Sequence, residues 1–342
     1  MHGDNRKRKE NRAINILKGI ACLMVILNHY HGKGISGDIL YCISHFGVPV
    51  FFLISGYFLY SEQGVNVKKI PDKIKHIVDL LILNIGLYIL DFIIERIVLD
   101  GNVIRKDIVI NDILSCFTFD SFKSAILWST SIFGAGQWFL IALLEGYIFM
   151  YVLYKIHLGK LIEKYVFLVT EILFFIHIPL RIILVRCGMD ELLGVKLLET
   201  MSVRNVWLDA IPFMLLGLGI HKNQDKMIFK KNVVRFLPIL SLMAILVSVG
   251  EFFLTCWIMQ EQRIGSVLYI GTILSVNFAF LWAIKNPEGI RNPLGKGLEF
   301  IGKNLSMTIY FIHVIVGTYI EQMIQKIGGV ESRFFNPFCL YL

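Results

Sequence analysis

The chain has 342 residues, 56% of them hydrophobic, with a mean hydropathy of +0.65. That is too apolar for one water-soluble core. The net charge of +8 would suit nucleic acid, but the lysines and arginines sit in short clusters between apolar runs, as in cytoplasmic loops of membrane proteins. Nucleic-acid binding is therefore excluded. Six cysteines form neither a CxxC pair nor metal-ligand spacing, so no metal is expected.

The expected fold is a single membrane domain over residues 1–342: an all-α polytopic bundle of nine to ten transmembrane helices. The first predicted span is 13–30, within RAINILKGIACLMVILNH. Its basic lead followed by an apolar run resembles a signal peptide. The run is too long, however, and continues into His29-Tyr30-His31-Gly32 instead of a small-residue cleavage site, so an uncleaved span is predicted. Further spans follow at 43–60, 77–94, 138–154, 166–185, 206–220, 236–254, 266–284 and 305–322, each near the ~20 residues a bilayer needs. The sixth is short, and Pro212, Gly217 and Gly219 predict a kinked or tilted helix packed closely through small residues.

Between the third and fourth spans, 95–137 is polar and then semi-apolar, which predicts a short interfacial or re-entrant helix. At the C-terminus, Asn336-Pro337 reads as the start of a tenth helix that the sequence leaves incomplete. With the N-terminus in the cytoplasm, the inner segments hold about twice as many lysines and arginines as the outer ones, which sets the orientation.

Ionisable groups kept in membrane spans mark functional candidates. His29 closes the first span, and histidine moves a proton readily near neutral pH; the alternative is a rim histidine that anchors the helix. His31 competes with it from the following loop, where glycines 32, 34 and 37 would let backbone approach a substrate. Ser55-Gly56 offers a hydroxyl in an aromatic-rich helix, with Gly56 read as a packing contact. Trp138 suits an aromatic belt, and Glu145 lies about two turns further along the same helix. Tyr310 and His313 share one face of the last span. Asp79, Asn84, Asp91, Glu171, His177, Arg181, Asp209, Glu251 and Asn277 are further polar groups in spans. They imply internal pairing and a wet cavity.

Four stretches in order, RAINILKGIACLMVILNH, FGVPVFFLISGYFL, QWFLIALLEGY and NLSMTIYFIH, resemble the acyltransferase-3 family of integral membrane acyltransferases. The family O-acetylates or succinylates cell-surface sugars and antibiotics, and one branch forms the membrane part of serine racemases. The resemblance implies acetyl-CoA as donor at the cytoplasmic face and a surface-polysaccharide or cell-wall hydroxyl as acceptor. It implies a multi-pass protein of the cell (plasma) membrane, in contact with lipid.

The family's histidine falls on His29, its basic residue on Lys18 and its acidic residue on Asn15. Its RxxR motif falls on Lys73-Ile74-Lys75-His76. Lysine is a point charge where arginine grips phosphate with a fork of donors. The implied sites are Lys18, Lys73, Lys75 and His76 for CoA; His29 as base; His313 or Tyr310 for the developing oxyanion; and Trp138, Glu145 and Ser55 for the acceptor. The competing class is a transporter or amino-acid uptake module using Glu145, His177, Arg181 and Asp209 as a proton pathway. No inverted repeat supports it.

Overall fold

The computed structural model describes residues 10–32, 34–99, 106–132, 136–189, 191–192, 195–196, 204–259 and 268–328. Seven of its helical stretches are long and apolar enough to cross a membrane: Arg12–His29, Gly34–Tyr57, Val67–Ile94, Trp138–Lys155, Val166–Arg186, Lys231–Ile258 and Pro293–Ile324. The predicted spans 206–220 and 266–284 also fall on helices, but shorter ones, with residues 266–267 outside the described residues. The start of a tenth helix at 336–337 lies outside the described residues.

Helix α1 (Arg12–His29) begins where Asn11 accepts the Ile14 N–H at 3.0 Å, satisfying one orphan amide of the first turn. Residues 34–42, expected as loop, belong instead to helix α2 (Gly34–Ser44), which leads through a two-residue turn into α3 (Gly47–Tyr57). Gly32 and Gly34 take positive φ (81° and 80°), and a side chain on Gly37 would strike the Gly32 carbonyl. These glycines build the tight turn that reverses the chain after α1.

A long α4 (Ile70–Leu99) follows. The predicted interfacial region holds two short helices, α5 (Lys106–Cys116) and α6 (Phe119–Trp128), the second capped by Thr118. Next come α7 (Trp138–Lys155), α8 (Gly159–Lys164) and α9 (Val166–Phe175), then a π-helical turn around Pro179 and α10 (Arg181–Arg186). Pro179 lacks the amide a regular α-turn needs, which accounts for the local widening. A two-residue antiparallel ladder joins Glu191–Leu192 to Val195–Lys196.

The short sixth span becomes the centre of the bundle. A π-turn (Val206–Ala210), capped by Asn205 through the Trp207 and Leu208 amides, opens α11 (Ile211–Asn223). Every residue from Ile211 to His221 is buried. A helix surrounded by protein on all sides needs neither the length nor the exposed apolar face of a lipid-facing one. It crosses α3 at van der Waals contact: a Cβ on Gly56 would meet the Met214 backbone, and one on Gly217 the Leu53 carbonyl. Phe52 and Phe213 are fully buried there. By contrast α12 (Lys231–Met259) exposes Leu242, Leu246, Leu254 and Trp257, as lipid contact requires. Helix α13 (Ile270–Lys285) packs along it, with the carboxylate of Glu251 accepting the Gly271 N–H at 2.8 Å. That explains one intramembrane acid, which caps a helix N-terminus.

The final stretch is α14 (Pro293–Phe300), a π-turn (Ile301–Leu305) and α15 (Ser306–Gly328). Asn292 caps it, with proline in the first turn. Gly19 of α1 and Gly302 let α1 and this segment touch backbone to backbone.

Polar contacts join alternate chain reversals at one end of the bundle. The Arg12 amide donates to the Pro287 carbonyl at 3.0 Å, Lys285 to the Gln224 carbonyl at 2.8 Å, and the Tyr57 hydroxyl to Gln224 Oε1 at 2.7 Å. Lys222 donates to the Glu163 carbonyl at 2.8 Å. This is the lysine-rich end, with the start of α1. The opposite end gathers His29, His31, His45, His313 and Arg204.

Candidate active site

One cavity of about 250 Å³ runs between the two ends. Lys18, Cys22 and Ser306 line it toward the lysine-rich end; Ile54, Ser55, Ile77 and Leu143 form a largely apolar middle. At the other end stand Asn28, His29, His45, Trp138, Arg204, Tyr310 and His313. Along α1, Lys18 and His29 are separated by about 16 Å at the helical rise of 1.5 Å per residue.

The histidines differ in what holds them. His313 Nδ1 lies 2.9 Å from both the Ile309 and Tyr310 carbonyls. Carbonyls only accept, so Nδ1 carries the proton and Nε2 keeps its lone pair. That Nε2 is buried without a hydrogen-bond partner. His45 repeats the arrangement: Nδ1 donates to the Tyr41 carbonyl at 2.8 Å, and Nε2 is buried and unpartnered. His29 meets His313 edge to face, with ring centroids 4.9 Å apart and an interplanar angle of 63°.

Around them the wall is tied across distant elements. Asn28 donates to Ser44 Oγ at 2.7 Å, and Ser44 to the Tyr41 carbonyl at 2.5 Å. The Tyr30 hydroxyl reaches the Val314 carbonyl at 3.0 Å, fixing α1 to α15. Tyr310 donates to the Gly136 carbonyl at 2.5 Å, so its proton is committed to the turn before α7. Arg204 contacts the Tyr41 hydroxyl at 3.1 Å and Asn28 Oδ1 at 3.4 Å, and lies 5.9 Å over the Trp138 ring.

Of the residues singled out in the sequence, the cavity brings together Lys18, His29, Ser55, Trp138, Tyr310 and His313. Five are placed elsewhere. Lys75 and His76 are exposed on α4, and Lys73 lies 5.6 Å over the Tyr147 ring. Glu145 is outside the lining; its Oε2 accepts from Ser129 Oγ at 2.5 Å. His31, also outside it, donates Nδ1–H to the Asn28 carbonyl at 3.0 Å.

Sequence reasoning missed Arg204, counted only as a loop cation, and His45, which sits in the turn between α2 and α3. It also gave Cys22 no role, although one helical turn after Lys18 places it on the same cavity wall. Asn15, which stands where the family has an acid, donates to Glu10 Oε1 at 2.8 Å, and Lys303 donates to Glu10 Oε2 at 2.6 Å. Lys303 and Asn15 together hold the Glu10 carboxyl below the usual carboxylate range. Arg12 forks onto Glu299 at 2.6–3.0 Å beside them.

Apolar helices of membrane-spanning length around an interior cavity lined by imidazoles define a multi-pass membrane protein. The family model Acyl_transf_3, an acyltransferase domain, matches residues 11–342; the chain belongs to that family and is a membrane acyltransferase. The resemblance of the four sequence stretches is thereby confirmed. No curated protein and no solved structure matches the chain.

Proposed function

We propose that the protein transfers an acetyl group from cytoplasmic acetyl-CoA to a hydroxyl of a cell-surface glycan, across the plasma membrane. The observation that carries this reading is a cavity with Lys18 toward one end and His29, His45 and His313 at the other. Family membership supplies the acyl-transfer chemistry. The rest follows from sidedness: CoA phosphates need cations, and CoA is made in the cytoplasm.

In this reading Lys18 receives the CoA phosphates at the cavity's inner mouth. Lys73 assists from α4, and Lys75 adds positive field from the surface, with His76 beside it. The apolar middle accepts the pantetheine arm and brings the thioester to the level of His29. His29 takes the proton of the acceptor hydroxyl as general base while the oxygen attacks the thioester carbonyl. The C–S bond breaks, the thiolate leaves, and the proton held by His29 passes to it. CoA-SH and the acetyl ester are the products.

His313, with Nε2 unprotonated in its neutral form, serves as a second base beside His29; a donor to an oxyanion needs a proton there. Tyr310 holds the turn before α7 against α15, and Trp138 and Ser55 shape the wall toward the acceptor.

The test uses purified protein in detergent with acetyl-CoA and surface-glycan oligosaccharides. Release of CoA thiol and gain of an acetyl ester on the glycan are expected, and both should vanish in His29→Ala. Thiol release without any ester on the acceptor would reject glycan transfer.

A further inference from the structure

Among the described residues lining the histidine end of the cavity, Arg204 is the one strong cation, and no carboxylate there answers its charge. It reaches two neutral oxygens, Asn28 Oδ1 and Tyr41 Oη, and it lies over the Trp138 ring. Among the described residues it has no carboxylate partner. Asp209 lines the same cavity, but from the start of α11, where it faces His177 Nε2 at 3.9 Å.

The guanidinium is also held in place. The cation–π contact with Trp138 fixes its side-chain position. Its neighbour Asn205 caps the π-turn before α11, and the Val206 N–H donates to the buried Ser129 Oγ at 3.0 Å. A preorganised, unanswered guanidinium facing a largely apolar cavity favours a bound anion, since it presents a planar set of donors. His45 and His313 direct unprotonated Nε2 atoms and have no proton to offer an anion there, so recognition falls to Arg204.

We infer that the acceptor carries an acid group next to the hydroxyl that is acylated, and that Arg204 binds this group and selects for it. The hydroxyl's role rests on the acyl-transfer reading above. The anion site itself does not.

The experiment uses the full-length protein in detergent without acyl donor, and three matched probes: trimers of galacturonic acid, glycerol phosphate and galactose. Binding is followed by isothermal titration. At least one acidic probe is expected to bind about ten- to a hundredfold tighter than the neutral trimer, as a charge-assisted contact allows. The carboxylate and phosphate arms distinguish the two sources of charge. Arg204→Gln should bring the acidic-to-neutral ratio close to one, and Arg204→Lys should restore part of it, which shows that the site still folds. A wild-type protein that does not prefer either acid, or a preference that survives Arg204→Gln, overturns the inference. In a second arm acetyl-CoA is added to the same probes: acidic probes that bind in this way but are never acylated leave the anion site standing and reject the acyl-transfer reading instead. Acylation that is indifferent to probe charge does the reverse.

Discussion

His29 at the end of the first helix and His313 in the last meet edge to face, ring centroids 4.9 Å apart, inside one cavity. The Tyr30 hydroxyl, which ties α1 to the carbonyls of His313 and Val314, holds two imidazoles from opposite ends of the chain at this position. A side chain on Gly317 would collide with the Tyr30 ring, so the glycine permits that approach.

The pair sets the first expectation. His29→Ala should abolish acetyl transfer, and His313→Ala should lower it by about 10²-fold or more, in the range of a positioned acid–base group. Both variants should still insert in the membrane. His31→Ala should cost only a few-fold, because His31 braces the Asn28 carbonyl from outside the cavity. Rates in membranes normalised to protein abundance decide; full activity in His29→Ala would move the base elsewhere.

The donor end makes a graded prediction. Lys18→Ala should raise the KM for acetyl-CoA about tenfold with kcat nearly intact, since ground state and transition state hold the phosphates alike. The double variant Lys73→Ala with Lys75→Ala should raise KM less, since neither lines the cavity, and His76→Ala least, since imidazole carries less charge than lysine. Steady-state kinetics with varied acetyl-CoA give the order. Equal effects from all four positions would mean that a diffuse surface field, not the cavity mouth, receives the donor.

Helix packing gives a prediction independent of chemistry. Gly56→Ala places a methyl against the Met214 backbone and forces α3 and α11 apart. A cost of about 1–3 kcal/mol is expected. Gly86→Ala is the control, because its Cβ meets nothing within 4 Å. There, alanine should be neutral or stabilise helix α4 by up to about 1 kcal/mol. Thermal unfolding in detergent separates the two.

Much of this arrangement was legible in the sequence, and the failures have physical causes. Apolar length located the helices because a bilayer sets a length scale. Gly56, Gly217 and Gly219 announced close packing because small residues in spans serve little else. The same scale misjudged 34–42, whose polar start resembles loop although two glycines turn it into helix. His29, His313, Tyr310 and Trp138 were visible as polar or aromatic groups in spans. Arg204 was not, because only the fold brings an outer-loop cation onto Trp138 and Tyr41. Glu145 was legible as a carboxylate needing a partner; that its partner is Ser129, and not the cavity, depends on how the segment before α7 returns.

Orientation is open to direct labelling. With the lysine-rich end in the cytoplasm, a lone cysteine at Lys230 should resist an impermeant thiol reagent in whole cells. One at Lys123, exposed on α6, should react. The reverse pattern would invert the protein in the membrane and, with it, the donor and acceptor ends.

Ser129 gives the last prediction. It is fully buried, adopts a left-handed φ of 52°, donates to Glu145 at 2.5 Å and accepts the Val206 amide at 3.0 Å. One hydroxyl therefore links α7 to the segment that carries Arg204. Ser129→Ala leaves a buried amide and a buried carboxylate oxygen without their partner, at a cost of about 1–3 kcal/mol for each neutral group and more for a charge. The other Glu145 oxygen is already buried without a partner. Glu145→Gln keeps an oxygen that can accept from Ser129, so it should be mild, whereas Glu145→Ala should resemble Ser129→Ala. If the linkage positions the Arg204 segment, these two alanine variants raise the KM for the acceptor while the KM for acetyl-CoA stays put, because Lys18 and its surroundings lie at the other end of the cavity. A general loss of stability would instead lower active protein without moving either KM. Kinetics against both substrates, with folded protein quantified by size-exclusion chromatography, tells these outcomes apart.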